Sequence, residues 1–476
     1  MTYPYILTFK STVSLVDDED DSGIDLTTPT GKLKLNNISP GMREILKILL
    51  NNGDTEDGLC NVLEERDSRV NFAEFFYILN QFKECGLIQY IVNSVKGPLA
   101  TLESVTSQFK FIQKEISPDQ KLCLSRFTYC HRVEGQFVLE TPKGFARITL
   151  HNHISTAMLS LLSTPCTANS LCETIHEINM DETKAFLELL LNIDAAFEVV
   201  GKSVISREED TALSYWEFHD LLFHARSRYG RNDSPAGGTY RFLNKTEPLP
   251  AVKPKMEGEI VALYKPDIEK LKKDDIPFTY VIEKRRSIRE YAETPLTVEQ
   301  VGEFLYRCAR IRKLMDSIPE RGLYSEASNR PYAGGGAIYE LDLYLTVNRC
   351  GGLERGLYHY CPKEHDLTRI CGFNKKLEKL LVQASGASGK KEIPHILITY
   401  TARFQRFMWK YQSLAYALIL KDVGCLMQNM YLVATAMELA PCAIGDGDSD
   451  LFAEASGLDY YTEGSVGEFI LGSKKK

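Results

Sequence analysis

Apolar positions return at three-to-four spacing in two separate stretches of the first 205 residues, and they return in the same order. Glu44, Leu46, Leu49 and Leu50 lead to Leu59, Cys60, Leu63 and Glu65, and 112 positions later stand Met158, Leu161, Leu162, Leu171, Cys172, Ile175 and Glu177. Leu49, Leu50, Leu59, Cys60, Leu63 and Glu65 all find an equivalent without a gap. Phe75, Leu79 and Phe82 come back as Phe186, Leu190 and Ile193 at a shift of 111. Each copy ends in a short strand-like run, Gly86 to Val92 or Ala196 to Val200. Each is preceded by others, Tyr5 to Phe9 in the first copy, Arg126 to Cys130 and Gly135 to Leu139 in the second. Three short amphipathic helices flanked by strands describe a winged helix-turn-helix unit. The pattern predicts two in tandem, residues 1–100 and 101–205.

The helices that would read DNA, Asn71 to Lys83 and Asp181 to Asn192, are acidic or apolar. Major-groove reading needs outward Arg, Lys, Asn or Gln with cationic support for phosphates, so nucleic acid is not the expected partner. A strand beside a groove can instead accept an extended peptide as an added strand. A packing or dimerisation module is the simpler alternative. The run Asp17 to Gly23, acidic and small, reads as a solvated loop.

Beyond a charged connection at Ser206 to Asp210, Trp216, Leu222 and Phe223 read as core contacts. His219 and His224 are five apart, one step too many for a metal pair on one helix face, so no metal is expected. Prolines extend Glu247 to Pro254 toward the next core. From about 275 helical and strand patterns alternate. Thr297 to Gln300 is a capping box opening a helix through Val301, Phe304, Leu305 and Cys308, while Leu341 to Val347 and Ile393 to Tyr400 read as strands. The expected fold class is α+β, with residues 206–476 as the third domain.

The chain has 476 residues, a formal net charge of −8 and 44% hydrophobic content. That acidity again argues against nucleic acid. Twelve cysteines lie singly with no CxxC pair, which fits apolar thiols in a reducing compartment. The N-terminus lacks a secretory pattern. The apolar stretch from about 413 to 440 is broken by Lys421, Asp422, Gln428 and Asn429, so it reads as a buried helix rather than a membrane span. A cytoplasmic protein is the expectation.

Two polar clusters carry candidate chemistry. Lys410 and Tyr411 sit side by side where a buried strand gives way to that apolar helix. Burial disfavours an ammonium and brings lysine toward neutral pH, so amine and phenol form a candidate proton-transfer pair. Arg403 and Arg406 are expected to depress the lysine further by like-charge repulsion. From the dipeptide alone, a surface lysine beside a packed tyrosine is the competing reading. Arg285, Arg286, Ser287 and Arg289 offer the planar forks, hydroxyl and positive charge that a phosphate needs. Taken alone they equally describe a surface patch.

Three segments of this half, Arg285-Arg286-Ser287-Ile288-Arg289, the turn from Arg330 to Gly336, and Asp422 to Ala434 with Gln428, together resemble the nitroreductase-fold flavoproteins. The resemblance is closer to the azoline oxidases of the SagB/McbC type from ribosomal peptide pathways, and runs from about Trp216 to the end. The tandem units resemble PqqD-like peptide-recognition elements, an arrangement most similar to the cyanobactin oxidases. The resemblance implies a C-terminal nitroreductase-like domain that binds FMN as a homodimer and oxidises thiazoline or oxazoline rings in a heterocyclised precursor peptide. It implies Lys410 as base and Tyr411 as relay. The phosphate and ribityl oxygens would lie among Arg285, Arg286, Ser287 and Arg289, and the flavin near Ala333, Gly334, Gly335, Gln428, Ile444 and Gly445. Tyr332 and Cys425 depart from the residues common at those places. A role for Lys474 to Lys476 at the phosphate is left open. The alternatives are an NAD(P)H-dependent flavin reductase of nitro compounds or quinones and a non-catalytic peptide-binding scaffold.

Overall fold

The computed structural model describes residues 5–17, 23–28, 31–199, 212–390 and 392–475. The acidic run at 18–22 and the charged connection at 206–210 lie outside the described residues. By contacts the chain divides into two compact units, Met1–Asp233 and Ser234–Lys476.

In the first unit both sequence copies form three helices. They span Pro40–Leu50, Glu56–Arg66 and Phe72–Glu84 in one copy, and His153–Leu161, Ala168–Thr174 and Met180–Asn192 in the other. All six begin on a residue whose side-chain oxygen accepts a backbone N–H of the first turn: Ser39, Thr55, Asn71, Asn152, Thr167 and Asn179. Leu49, Leu59, Leu63, Phe75, Leu79 and Phe82 are buried, as are Leu162, Leu171, Ile175, Phe186, Leu190 and Ile193. What repeats in the sequence is therefore the inward face of the helices.

The copies are fused rather than strung in a row. One antiparallel six-stranded sheet runs in the order Ile6–Phe9, Ile88–Ser94, Gly97–Ser104, Ala146–Leu150, Gln136–Glu140, Tyr129–Val133, three strands from each copy. The seam pairs Ala146 with Ser104 through to Leu150 with Ala100, and Leu99, Leu102 and Ile148 are buried beside it. The boundary expected at 100/101 thus falls inside a strand. The expected boundary at 205/206 also moves. Arg126 Nη2 donates to the carbonyls of Leu213 at 2.8 Å and Trp216 at 3.0 Å, and Arg226 Nη2 donates to Thr141 O at 3.1 Å, so the segment to Asp233 belongs to the first unit. On its helix Phe218–Arg226 only Ala225 is buried; Trp216 and Leu222 are half-buried and Phe223 is exposed, so these are not the core contacts the sequence suggested.

The second unit is built on a seven-stranded antiparallel sheet. Its order is Ile260–Ala262, Asp366–Gly372, Gly356–Cys361, Leu341–Val347, Ile396–Arg403, Glu463–Ser473, Leu439–Ile444. Every residue of Leu341–Val347 and Ile396–Arg403 is buried, because helices cover both faces. Leu343, Leu345 and Ile398 join one core with helices Val298–Ala309 and Ala415–Ala436, while Tyr344, Leu397 and Ile470 join another with Lys375–Ala387 and Ser449–Ser456. This is the period-two alternation of strands. The capping box at Thr297 and Gln300 forms as expected.

Ala415–Ala436 is long and apolar enough to cross a membrane by length and composition. Here Ile419, Leu426, Met430 and Ala434 are fully buried against the sheet and its neighbouring helix. Burying one such large side chain stabilises by about 1.5–3 kcal/mol, which ties the helix firmly to the core.

Candidate active site

The strand Ile396–Arg403 ends in the short helix Phe404–Met408, and the chain then turns through residues 409–414 before Ala415–Ala436 begins. A strap of residues 239–253 is clasped to this turn. Arg403 donates to Pro250 O at 2.9 Å and Ala251 O at 3.1 Å; Arg406 donates to Leu249 O at 2.6 Å, Glu326 O at 2.9 Å and Ile338 O at 2.9 Å. Trp409 Nε1 donates to Thr246 O at 2.8 Å, and the amides of Thr239 and Tyr240 both donate to Lys410 O. At the far end Lys253 Nζ reaches Tyr344 OH at 2.6 Å and Glu463 Oε2 at 2.5 Å.

These contacts correct the expectation that Arg403 and Arg406 depress Lys410. Both guanidiniums are buried and turned to strap carbonyls, and Arg403 Nε pairs with Asp342 at 2.9 Å. Burial alone would push the Asp342 carboxyl up, but Arg403 and then His359 hold it well below the usual range. Lys410 is half-buried, and desolvation is what lowers its pKa from the ordinary 10.5. Its Nζ lies 5.3 Å from the Tyr411 ring centre and 6.0 Å from that of Tyr240. Such rings favour the ammonium only weakly at these ranges, so burial prevails. The Tyr411 phenol is pushed up, by burial first and then by Tyr240 and Asp422.

The glycine turn meets this pair. Gly336 has φ +60°, and a Cβ there would stand 2.5 Å from Tyr411 OH and 2.8 Å from Lys410 Nζ. Only glycine lets the backbone come so close in that conformation. Gly335 N donates to Asp422 Oδ2 at 2.8 Å, which moors the turn to the long helix. Ala333 is exposed and Gly334 half-buried, with Tyr332 buried behind them and its carbonyl accepting from Tyr339 OH at 2.8 Å.

The basic run follows the helix Phe278–Lys284 and lies along the strand Leu439–Ile444. Ile288 N donates to Pro441 O at 2.8 Å, and Tyr431 OH bridges Ser287 Oγ at 2.7 Å and Ala443 N at 2.7 Å. Arg285 rests 5.4 Å above the Tyr431 ring. Arg285 and Arg286 are exposed, and the Nε of Arg289 is buried with no hydrogen-bond partner among the described residues. Ile444 is buried, Gly445 leaves the strand exposed, and Gln428 is exposed on the helix between Asp422 and Tyr431. At ~1.5 Å per residue, Asp422 and Tyr431 are about 13 Å apart along that helix. A cofactor with a phosphate at one end and a flat ring at the other fits this donor set. The unpartnered Arg289 Nε is a donor that an anionic group could satisfy, and the glycine turn carries no side chain that would obstruct a flat ring. Lys474 pairs with Glu438 and Lys475 with Glu392 at 3.6 Å, so their charges are engaged within the chain. Lys476 lies outside the described residues.

Sequence reasoning did not assign Tyr240, Glu340, Asp422 or Tyr431. Asp422 and Tyr431 stand in or beside a noted motif, yet their roles depend on segments 87 and 144 residues away. Tyr240 is in a stretch with no periodicity and takes φ +49°, which no composition signals.

Three family models match the chain in succession: the ThcOx helix turn helix domain over residues 1–112, the cyanobactin oxidase ThcOx over 122–233, and the nitroreductase family over 282–473. A Methanocaldococcus jannaschii protein named as a nitroreductase is 28% identical over 188 residues, 40% of this chain and 85% of that protein. The microcin B17-processing protein McbC of Escherichia coli is 31% identical over 117 residues, 23% of this chain and 42% of its own length. The trifolitoxin-processing protein TfxB of Rhizobium leguminosarum bv. trifolii is 25% identical over 140 residues, 29% of this chain and 38% of its own. The matches thus span less than half of either processing protein.

Proposed function

We propose that the chain, whose successive segments match the ThcOx helix turn helix domain, the cyanobactin oxidase ThcOx and the nitroreductase family, is a SagB/McbC-type oxidase of the cyanobactin kind that dehydrogenates thiazoline or oxazoline rings in a ribosomally made peptide. The observation that carries this reading is the meeting of Lys410 Nζ and Tyr411 OH at the bare backbone of Gly336. Aromatising an azoline removes a proton from one ring carbon and a hydride from its neighbour. FMN, when bound, would supply the hydride acceptor. Arg285, Arg286, Ser287 and Arg289 would hold its phosphate and ribityl oxygens, and Ala333, Gly334, Gly335, Gln428, Ile444 and Gly445 would flank the ring.

The protein's own part is proton handling. Desolvation keeps a larger share of Lys410 neutral near physiological pH, and a neutral amine can accept a carbon-bound proton. Tyr411, its phenol kept protonated by burial, orients that amine or passes the proton on. The two amides on Lys410 O hold the lysine backbone in place. In the first unit, the edge strand Tyr129–Val133, exposed over Cys130 to Arg132, supports capture of the precursor as an added strand. Exposed Phe278, Tyr280 and Ile282 on one short helix support a homodimer of the oxidase domain.

The test is incubation with a thiazoline-bearing peptide and mass spectrometry for loss of two hydrogens per ring. Lys410→Ala should keep its flavin and lose at least about tenfold in turnover, since a general base typically contributes ~10²–10⁴-fold. NAD(P)H consumption with nitroaromatics and no change in the peptide would overturn the reading.

A further inference from the structure

Glu340 is fully buried just before the strand Leu341–Val347, and neither carboxyl oxygen meets a hydrogen-bond donor among the described residues. An ionised carboxylate left in that state is strongly disfavoured. The charged groups facing it are Asp422 from the helix Ala415–Ala436, Arg330 from the segment before the glycine turn, and Arg406 from Phe404–Met408; the Tyr332 phenol also faces it. Arg406 is committed elsewhere, and Arg330 is held through its two Nη nitrogens, while its Nε is buried with no hydrogen-bond partner among the described residues. Arg330 donates to Leu341 O at 3.2 Å and Tyr339 O at 3.4 Å, and Arg406 holds its three carbonyls.

One hydrogen bond open to Glu340 is with the Asp422 carboxyl. Two carboxyls can share such a bond only while one of them keeps a proton. Asp422 in turn accepts the Gly335 amide at 2.8 Å, and the next residue of that turn, Gly336, stands so near Tyr411 OH and Lys410 Nζ that a Cβ would collide with them. A continuous path therefore leads from the buried acid to the reactive amine.

We propose that Glu340 and Asp422 form a one-proton carboxyl pair, Glu340 donating and Asp422 accepting, which positions the glycine turn against Lys410 and Tyr411. Burial, and then the neighbouring Asp422, pushes Glu340 up to about 8, only partly offset by its own backbone amide and then by Arg330 and Arg406. Burial also raises Asp422. At neutral pH the pair keeps its proton. On the alkaline side a second negative charge separates the carboxyls and loosens their hold on Gly335. Glu340 is thus a positioning residue, acting through Asp422 and the turn.

The pair rests on the proposed function only in the turnover arm of its test. In flavin-free protein, infrared difference spectra between wild type and Glu340→Gln should contain a protonated-carboxyl band that titrates away with a midpoint near 8. In the turnover arm, Glu340→Leu removes the carboxyl donor to Asp422 and leaves it only the Gly335 amide, and should lower kcat by about tenfold or more, in line with the cost of a small misplacement, with KM little changed. Glu340→Gln, whose amide donates without titrating, should recover most of that loss and lack the alkaline fall. Absence of the titrating band, or equal kcat for the Leu and Gln variants, would overturn the proposal. If wild-type protein oxidises no azoline, the function fails and the infrared arm alone decides the pair.

Discussion

Replacing Gly336 by alanine separates the proposed chemistry from the fold. The residue has φ +60°, where an alanine costs about 1–2 kcal/mol of backbone strain. Its new methyl would stand 2.5 Å from Tyr411 OH and 2.8 Å from Lys410 Nζ, whereas ordinary contact begins at 3.4 Å. The phenol must retreat by about 0.9 Å and the amine by about 0.6 Å to reach that distance. Both atoms are the far ends of side chains, so they can move without unfolding the domain. A misplacement of ~1 Å can cost ~10²-fold in rate, and a drop of roughly tenfold to a hundredfold in single-turnover aromatisation is expected. The assay is quenched-flow mass spectrometry on flavin-replete protein, with bound flavin read by absorbance. Gly457→Ala is the control, since Gly457 has φ +74° and nothing within 4 Å of an added Cβ. It should lose similar stability and no rate. Gly336→Ala turning over within twofold of wild type, or Gly457→Ala falling equally, would refute the contact argument.

Because desolvation lowers Lys410 and the neutral amine is the active form, kcat in Glu340→Gln, which is free of the alkaline fall, should rise with pH and level off below the ordinary lysine value of 10.5; a profile of the same shape with Lys410→Ala added would contradict this. Glu340 sits higher in the folded chain than its ordinary 4.5, so the folded state keeps a proton that the unfolded state releases. Its contribution to stability is full below about 4.5 and falls as pH rises toward 8, and Glu340→Gln should remove that part of the slope in thermal midpoint. Arg406→Met strands three carbonyls, at about 1–3 kcal/mol for each left without a partner, and limited proteolysis should then open the strap near residues 246–251. Asn179→Ala dismantles the capping box with Glu182 and should cost about 1 kcal/mol in urea unfolding of the first unit.

The repeat was legible because the residues that recur are those that pack. Phe75 and Phe186, or Leu79 and Leu190, are buried in equivalent helices, and burial restricts what can stand there. Thr297 and Gln300 announced a helix start through a purely local bond pair. The seam at residue 100 was not legible, since a strand's alternation does not say which copy its partner belongs to. Phe223 looked like core by hydrophobicity and is exposed on a helix with a single buried residue. The candidate site shows the same division. Lys410 at the exit of a buried strand could be read locally. The true task of Arg403 and Arg406 could not, because their acceptors are carbonyls 68 to 157 positions away. Likewise Glu340 and Asp422 carry no mark of each other in the sequence.

The strands Gly97–Ser104 and Ala146–Leu150 complete one another's hydrogen bonding across the two copies. Cutting the chain between them would bare an interior ladder and the apolar flanks of Leu99, Leu102 and Ile148, an invitation to sticky self-pairing. Expressed singly, neither of the duplicated halves should fold to a stable monomer.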